Sequence, residues 1–151
     1  MEETEVLSIT PHQAPCKAFA PPILSAKPAA MTTPMRNPDF VYKIVTRTAF
    51  DAAKAAGEFP QMPIDLKDGF IHFSTATQLR DTLRLHFAGQ SDLAVFAVKP
   101  FDMGAGLRWE ASRGGQLFPH HYGPLATSTI GRQVIVSVAA DGSVDLPDWI
   151  Q

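Results

Sequence analysis

Proline placement divides this chain near residue 38 and constrains its fold more than any other feature. Of its 13 prolines, those at positions 11, 15, 21, 22, 28, 34 and 38 precede the first patterned segment. Proline fixes φ and has no backbone N–H group, so closely spaced prolines disfavour helices and strands. The segment 1–38 also lacks apolar periodicity. We therefore predict a disordered, proline-rich tail over 1–38 and a single folded domain over 39–151.

The tail is not typical of a targeting signal. It opens with MEETE, which is acidic where an export signal is basic, and no continuous apolar run follows. We expect translation to start at Met31 or Met35, which would make the tail a mis-assigned start. Truncation to about Thr33 is then expected to leave the melting temperature unchanged.

Length and charge limit the classes of protein to which the chain can belong. Its 151 residues fit one domain, since domains mostly span roughly 100–200 residues. With 13 Lys and Arg against 15 Asp and Glu, a generally basic nucleic-acid-binding protein is excluded. No apolar run approaches the roughly 18 residues of a membrane-spanning helix, and a lone cysteine, Cys16, excludes an internal disulfide. We predict a cytoplasmic protein without a membrane or nucleic-acid partner, and no oligomeric state is predicted.

Hydrophobic patterning predicts strands and two helices after residue 39. The β-branched and aromatic run Phe40–Val45 is typical of a strand, and Thr48 is the expected N-cap of the first helix. Thr75 and Gln78 match a capping box for the second helix, Ala76–Ala88. Further strands are predicted over 70–73, 93–98, 107–110, 118–122 and 131–138. The pattern indicates an α+β domain with small antiparallel sheets and two helices.

The segment Asp68–Thr75 (DGFIHFST) carries the first candidate site. Side chains alternate faces along a strand, so His72 and Ser74 are expected to share a face where the strand meets a helix. The exposed N–H groups of a helix N-terminus favour an anion such as phosphate. In the alternative interpretation, Ser74 or Thr75 only caps the helix, and His72 is a half-buried residue of the sheet.

The segment Leu107–Gly115 (LRWEASRGG) carries the second candidate site. On a strand, Arg108 and Glu110 share a face. The guanidinium of Arg108 suits a carboxylate or phosphate, and the carboxylate of Glu110 can hold a ribose hydroxyl or act as a base. The alternative is an ordinary surface ion pair of Arg108 with Glu110, followed by a glycine turn.

The segment Phe118–Leu125 (FPHHYGPL) carries the third candidate site. In an extended conformation His120 and Tyr122 share one face of the segment, and His121 lies on the opposite face. An aromatic loop that plugs the end of the core is the alternative. Adjacent histidines diverge on a strand, so we predict no metal site here. His86 lies on the second predicted helix and is expected to be structural.

Four motifs occur in order: VYKI at 41–44, DGFIHFST at 68–75, LRWE at 107–110 and FPHHYGP at 118–124. Together they resemble the bacterial domain-of-unknown-function 952 family over Phe40–Val144. That family has no established activity. Its fold is similar to that of ADP-ribosyltransferases, which split NAD in a cleft between two small antiparallel sheets.

The resemblance to ADP-ribosyltransferases implies a role for each candidate residue. Glu110 and His72 would be catalytic, with Glu110 stabilising an oxocarbenium-like transition state. NAD is the candidate substrate, and no bound cofactor is expected. The chain departs from the transferase pattern in two places: the late strand 131–136 has no glutamate, and Lys43 replaces the usual Arg or His of the first strand. The implied ligand-binding residues are Tyr42, Ser74, Thr75, Arg108, His120 and Tyr122.

Three functional hypotheses follow. In the first, the protein is a small intracellular enzyme, or a degenerate enzyme, that binds a nucleotide-like ligand of the NAD or ADP-ribose type in a polar cleft. Any activity would be at most ADP-ribosyltransferase-like or that of a nucleotide-processing transferase. In the second, it is a non-catalytic binding or scaffold module with a structural polar cleft. The third, RNA end-modification, requires a basic groove formed by Arg80, Arg84, Arg108 and Arg113.

Overall fold

The computed structural model describes residues 38–150, which form two three-stranded antiparallel sheets and several short helices. The predicted α+β class with small antiparallel sheets is confirmed, whereas the predicted tail, apart from Pro38, lies outside the described residues. No helix in this part of the chain has both the length and the apolar character to cross a membrane. The strands are β1 (Val41–Thr46), β2 (Ile71–His72), β3 (Leu93–Val98), β4 (Leu107–Ala111), β5 (Leu117–His121) and β6 (Ile130–Val136). The helices are α1 (Arg47–Ala56), α2 (Pro63–Asp68), α3 (Ala76–His86) and α4 (Pro100–Met103), with 3₁₀ turns at Gly104–Gly106, Arg113–Gly115 and Thr127–Thr129.

Strand β3 is the centre of the first sheet, whose order is β1-β3-β6. All residues of this strand are buried, because both faces of the first sheet are covered. One face packs on Phe50 of α1 and on Phe73, which follows β2. The other face packs on Leu79 and Leu83 of α3 and on Trp149 near the end of the chain. The predicted bounds of β3 agree with the structure.

The second sheet has the order β2-β5-β4, and its register brings candidate residues from three segments together. His120 of β5 lies opposite His72 of β2 on one side and Arg108 of β4 on the other. The backbone N–H of Phe73 donates to the carbonyl of Pro119 at 2.9 Å, which extends the β2–β5 pairing by one residue. Cross-strand neighbours have side chains close enough to interact, so this register positions the candidate site.

The two sheets are joined through the backbone of Tyr42 and Ser74. The N–H of Tyr42 donates to the carbonyl of Ser74 at 2.8 Å, and the N–H of Ser74 donates to the carbonyl of Tyr42 at 2.9 Å. This antiparallel bridge connects β1 to the segment between β2 and α3. Each sheet therefore holds the other at a fixed spacing at this point.

The predicted capping box of α3 is confirmed, but the predicted cap of α1 is wrong. Thr75 accepts a hydrogen bond from the N–H of Gln78, and the Gln78 side chain accepts one from the N–H of Thr75. The N-cap of α1 is Thr46, whose backbone is still extended and whose hydroxyl accepts from Ala49. Thr48 lies inside the helix, because β1 runs directly into α1 without a loop.

The prediction of only two helices is also wrong, since α2 and α4 were not anticipated. Both begin with a proline at the first helical position, Pro63 and Pro100. Proline is favoured there, because its missing N–H has no partner in the first turn of a helix. The proline at position 63 thus begins a helix instead of marking a loop.

Candidate functional site

A cavity of about 520 Å³ lies between β1, α2, the β2–α3 segment, α3 and β5. Four of the predicted site residues line it: Tyr42, His72, Ser74 and His120. Much of the remaining wall is apolar, with Ile44 and Phe118 among its residues. An apolar pocket with a few convergent polar groups is the usual form of a small-molecule site.

Asp65, in α2, is the centre of a buried hydrogen-bond network. Its Oδ2 accepts from Nζ of Lys43 at 2.5 Å and from the N–H of Met62 at 2.6 Å. Its Oδ1 accepts from the N–H of His72 at 3.0 Å and lies 2.7 Å from Nδ1 of the same residue. The Asp65 side chain is fully buried and that of Lys43 is 3% exposed. One carboxylate therefore connects β1, α2 and β2.

The contacts of Asp65 keep it ionised. Burial by itself would raise the pKa of Asp65, but the hydrogen bonds from His72 and Lys43 and the charge of Lys43 lower it from 3.8 to about 2. Burial lowers the pKa of Lys43, and the attraction of Asp65 opposes that effect without cancelling it. An ionised carboxylate only accepts hydrogen bonds, so Nδ1 of His72 must carry a proton.

The His72 ring lies between two carboxylates. Its Nε2 is 3.1 Å from Oδ2 of Asp68, at the end of α2, while its Nδ1 contacts Asp65. Both Asp68 and His72 are about one-third exposed. Both nitrogens of the His72 ring therefore face carboxylate oxygens, which fixes the orientation of the ring at the cavity.

His120 is held by a third carboxylate, that of Glu110 in β4. Nδ1 of His120 lies 2.8 Å from Oε2 of Glu110, and the Tyr122 hydroxyl donates to the same oxygen at 2.9 Å. The hydrogen bonds from His120 and Tyr122 lower the pKa of Glu110, and the bond to Glu110 raises the pKa of Tyr122. The guanidinium carbon of Arg108 lies 4.6 Å from the centre of the Tyr122 ring. No hydrogen bond within residues 38–150 occupies Nε2 of His120.

The two histidine rings are neighbours. Their centroids are 5.3 Å apart with nearly perpendicular planes, and the ring of Phe70 lies against both, at 4.6 Å from His72 and 4.3 Å from His120. Each ring thus has Nδ1 fixed by its own carboxylate, Asp65 or Glu110. Two imidazoles oriented in this way at one cavity can act as an acid and a base on the same bound molecule.

The remaining predicted site residues lie outside the cavity lining. Thr75 is the N-cap of α3, as in the alternative interpretation of its segment. Glu110 contacts His120 and Tyr122, and Arg108 covers the Tyr122 ring, so these three form an outer layer behind His120.

The four arginines of the RNA hypothesis have separate partners. Arg80 donates to the carbonyl of Val144, and Arg84 contacts Asp81. Arg108 lies over an aromatic ring, and among the four arginines Arg113 alone belongs to the cavity wall in the described part of the chain. The basic groove that this hypothesis needs is therefore not supported by these contacts.

Several residues of the site were not identified from the sequence. Asp65 and Asp68 lie in the unanticipated helix α2, and Lys43 was noted only as a departure from the transferase pattern. Arg113 and His86 also line the cavity. A proline followed two residues later by Asp, as in Pro63-Ile64-Asp65, is a helix-start signal that could have revealed Asp65.

Over residues 38–150, no group of three or more His, Cys, Asp or Glu side chains is placed to hold a metal ion. The acidic and imidazole groups of the site instead pair with one another, as Asp65 does with His72 and Glu110 with His120.

Comparison with known proteins gives a family and a structural relative. The chain is similar to a crystal structure of protein CC0527 from Caulobacter crescentus, with 44% identity and a TM-score of 0.68 over 74% of this chain and 97% of that one. A crystal structure of a double mutant of CC0527 matches with 45% identity, a TM-score of 0.68 and the same coverage of 74% and 97%. The solution NMR structure of CC0527 matches with 45% identity and a TM-score of 0.61 over 69% of this chain and 90% of that one.

No functionally curated protein matches the chain. The model of a family described as protein of unknown function (DUF952) matches residues 44–133. This range contains the motifs with His72, Glu110 and His120. The chain therefore belongs to the DUF952 family.

Proposed function

We propose that the protein is a small enzyme that binds a nucleotide-like ligand in the cavity and acts on it with His72 and His120 as an acid–base pair. One observation carries the proposal: two imidazole rings 5.3 Å apart, each with Nδ1 bonded to its own carboxylate. Carboxylate-oriented histidines are the usual groups for proton transfer in enzymes, where such transfer contributes roughly 10²–10⁴ in rate.

The hydrogen bonds support a different proposed role for each histidine. Asp65 fixes Nδ1 of His72, while Nε2 faces Asp68 at the cavity wall, and we assign the Nε2 side of this ring the role of proton donor to the ligand. His120 uses only Nδ1 for Glu110, so in its neutral form Nε2 is the proton acceptor.

This assignment changes the role of Glu110. The resemblance to ADP-ribosyltransferases implied that Glu110 acts on the ligand, but its carboxylate is engaged by His120 and by Tyr122. Glu110 is better placed to orient His120. The presence of two small antiparallel sheets beside one cavity supports a fold similar to the transferases, so NAD and ADP-ribose are the first ligands to examine.

The competing proposal is a non-catalytic binding or scaffold module. It is favoured by one feature, namely that Asp65 and Lys43 are buried and satisfy each other, as in a structural network. In that case the histidines would stiffen the cavity wall without transferring protons.

Isothermal titration with NAD, ADP-ribose and AMP, followed by chromatography of each incubated ligand, tests the proposal. The variants are His72→Ala and His120→Asn, of which the second keeps a donor for Glu110 but has no imidazole to accept a proton. Gln133→Ala, on the exposed part of β6, is the control. We expect wild type and Q133A to bind and convert one ligand, and both histidine variants to lose conversion at least a hundredfold.

The outcomes separate the two proposals. Binding without conversion, unaffected by H120N, would favour the non-catalytic module. The enzyme proposal fails if none of the ligands binds at millimolar concentration and H72A gives the same heats as wild type. Melting temperatures of all variants show whether a loss of binding or conversion results from unfolding.

A further inference from the structure

Arg113 forms a second polar cluster on the cavity, with His86 and Thr82 of α3. Its Nη1 lies 3.3 Å from Nε2 of His86, and its Nη2 is 3.4 Å from Oγ1 of Thr82. The guanidinium carbon is 5.3 Å from the centre of the Phe118 ring. All four side chains belong to the cavity wall, which also contains His72 and His120.

The local backbone explains how Arg113 reaches α3. It begins a 3₁₀ turn after β4 that continues through two glycines, Gly114 with φ of 66° and Gly115 with φ of 75°. Positive φ is readily adopted by glycine, so this sharp turn is specified by the sequence RGG. The turn brings the guanidinium against the C-terminal half of α3, where it contacts His86 and Thr82.

The charge of Arg113 is not neutralised by the described part of the chain. Within residues 38–150 its guanidinium forms no ion pair with a carboxylate, whereas Arg47 pairs with Asp51 and Arg84 with Asp81. Arg113 contacts a neutral hydroxyl, an imidazole nitrogen and an aromatic face. Guanidinium has five N–H donors in a planar fork, and the two hydrogen bonds leave further donors for a ligand.

We propose that Arg113 binds a phosphate group of the ligand, with Thr82 and His86 as positioning residues. This inference rests on the proposed function and gives it a substrate class: phosphorylated molecules whose reacting part lies at His72 and His120. The Arg fork matches the oxygens of phosphate bidentately. Thr82 donates to the carbonyl of Gln78 at 2.9 Å, so its hydroxyl accepts from Arg113 and sets the direction of the fork.

Calorimetric titration with AMP and with adenosine tests the phosphate subsite. The two probes differ by one phosphate group, and Arg113→Gln removes the charge while keeping a polar side chain. Arg132→Gln, at an exposed position of β6, makes the same charge change away from the cavity. We expect AMP to bind wild type and R132Q at least tenfold more tightly than adenosine, and R113Q to bind the two equally.

A titration with inorganic phosphate followed by NMR gives a readout that does not need a nucleoside. We expect phosphate to shift the signals of Thr82, His86 and Arg113 in wild type and in His72→Ala. In R113Q the signals of Thr82 and His86 should stay unchanged.

These experiments distinguish failure of the subsite from failure of the proposed enzyme. The subsite is refuted if the preference for AMP over adenosine survives in R113Q, or if phosphate leaves the three signals unchanged. It is also refuted if R113Q lowers the melting temperature and weakens adenosine and AMP equally, because Arg113 would then be only a structural link to α3. Phosphate binding at Arg113 without conversion of any nucleotide would support the subsite and count against the enzyme.

Discussion

Nζ of Lys43 and Oδ2 of Asp65 lie 2.5 Å apart, in a pair that is almost entirely excluded from solvent. The two residues are 22 positions apart in sequence, and one belongs to a strand and the other to a short helix. Removing one partner of a buried ion pair is costly, since the other charge stays desolvated and uncompensated. The stability of the fold around the cavity therefore depends on this contact.

Replacing Asp65→Asn is expected to lower the free energy of unfolding by about 3–5 kcal/mol, because Lys43 would keep its buried position without a counter-charge. Urea denaturation measures the change. Asp68→Asn is the matched control, since Asp68 is one-third exposed and, among residues 38–150, its carboxylate forms an ion pair with His72 alone; we expect a loss below about 1 kcal/mol. Equal losses in the two variants would contradict this account.

Acid is expected to weaken the fold through the same carboxylate. The pKa of Asp65 is about 2 in the folded protein against an ordinary 3.8, so its contribution is complete above pH 4 and is lost as the pH falls toward 2. The difference corresponds to stabilisation on the order of 2 kcal/mol. Urea denaturation at several pH values from 6 down to 2 should show the difference in unfolding free energy between wild type and D65N shrinking by about that amount as the pH falls. A difference that stays constant with pH would contradict this prediction.

Thr75→Ala is expected to reduce stability by about 1 kcal/mol without weakening ligand binding. Thr75 caps α3 through the N–H of Gln78, and it does not belong to the described cavity wall. Thr48→Ala provides the comparison: Thr48 lies inside α1 in an exposed position, so its replacement should change stability by less than about 0.5 kcal/mol. A selective loss of AMP binding in T75A would restore Thr75 as a ligand-binding residue.

Gly106→Ala is expected to destabilise the protein by about 1–3 kcal/mol through overpacking. A Cβ at this position would lie 2.5 Å from Cε1 of His121 and 2.5 Å from the carbonyl oxygen of Tyr122. Gly131→Ala should cost less, because its closest contact, the carbonyl oxygen of Ala97, is 3.3 Å away. Thermal denaturation of the two variants in parallel shows which substitution costs more stability.

Alternation along strands explains which parts of the site could be predicted from the sequence. It placed His120 with Tyr122 and Arg108 with Glu110 on shared faces. In the structure the contacts run between strands: Glu110 bonds His120 and Tyr122, and Arg108 lies over the Tyr122 ring. Alternation does not give the pairing of one strand with another, so the opposition of His72 and His120 became visible only with the β2–β5 register. Register depends on the packing of the whole sheet.

The central carboxylate could not be found by the same reasoning. Asp65 lies in a six-residue helix, too short for apolar periodicity to mark it. Its burial depends on Lys43, and contacts between residues so distant in sequence leave no local signal. The position of Lys43 inside an otherwise apolar strand is a clue, because a buried cation requires an anionic partner.

The bridge of Tyr42 and Ser74 gives the cavity a frame that does not depend on its lining. Both residues contribute side chains to the wall, yet main-chain atoms make the bond between them. Substitutions in the wall can therefore change the shape and polarity of the cavity while the gap between the two sheets keeps its width. A scaffold of this kind can be adapted to a new ligand by exchanging side chains, with no need to rebuild the architecture that carries them.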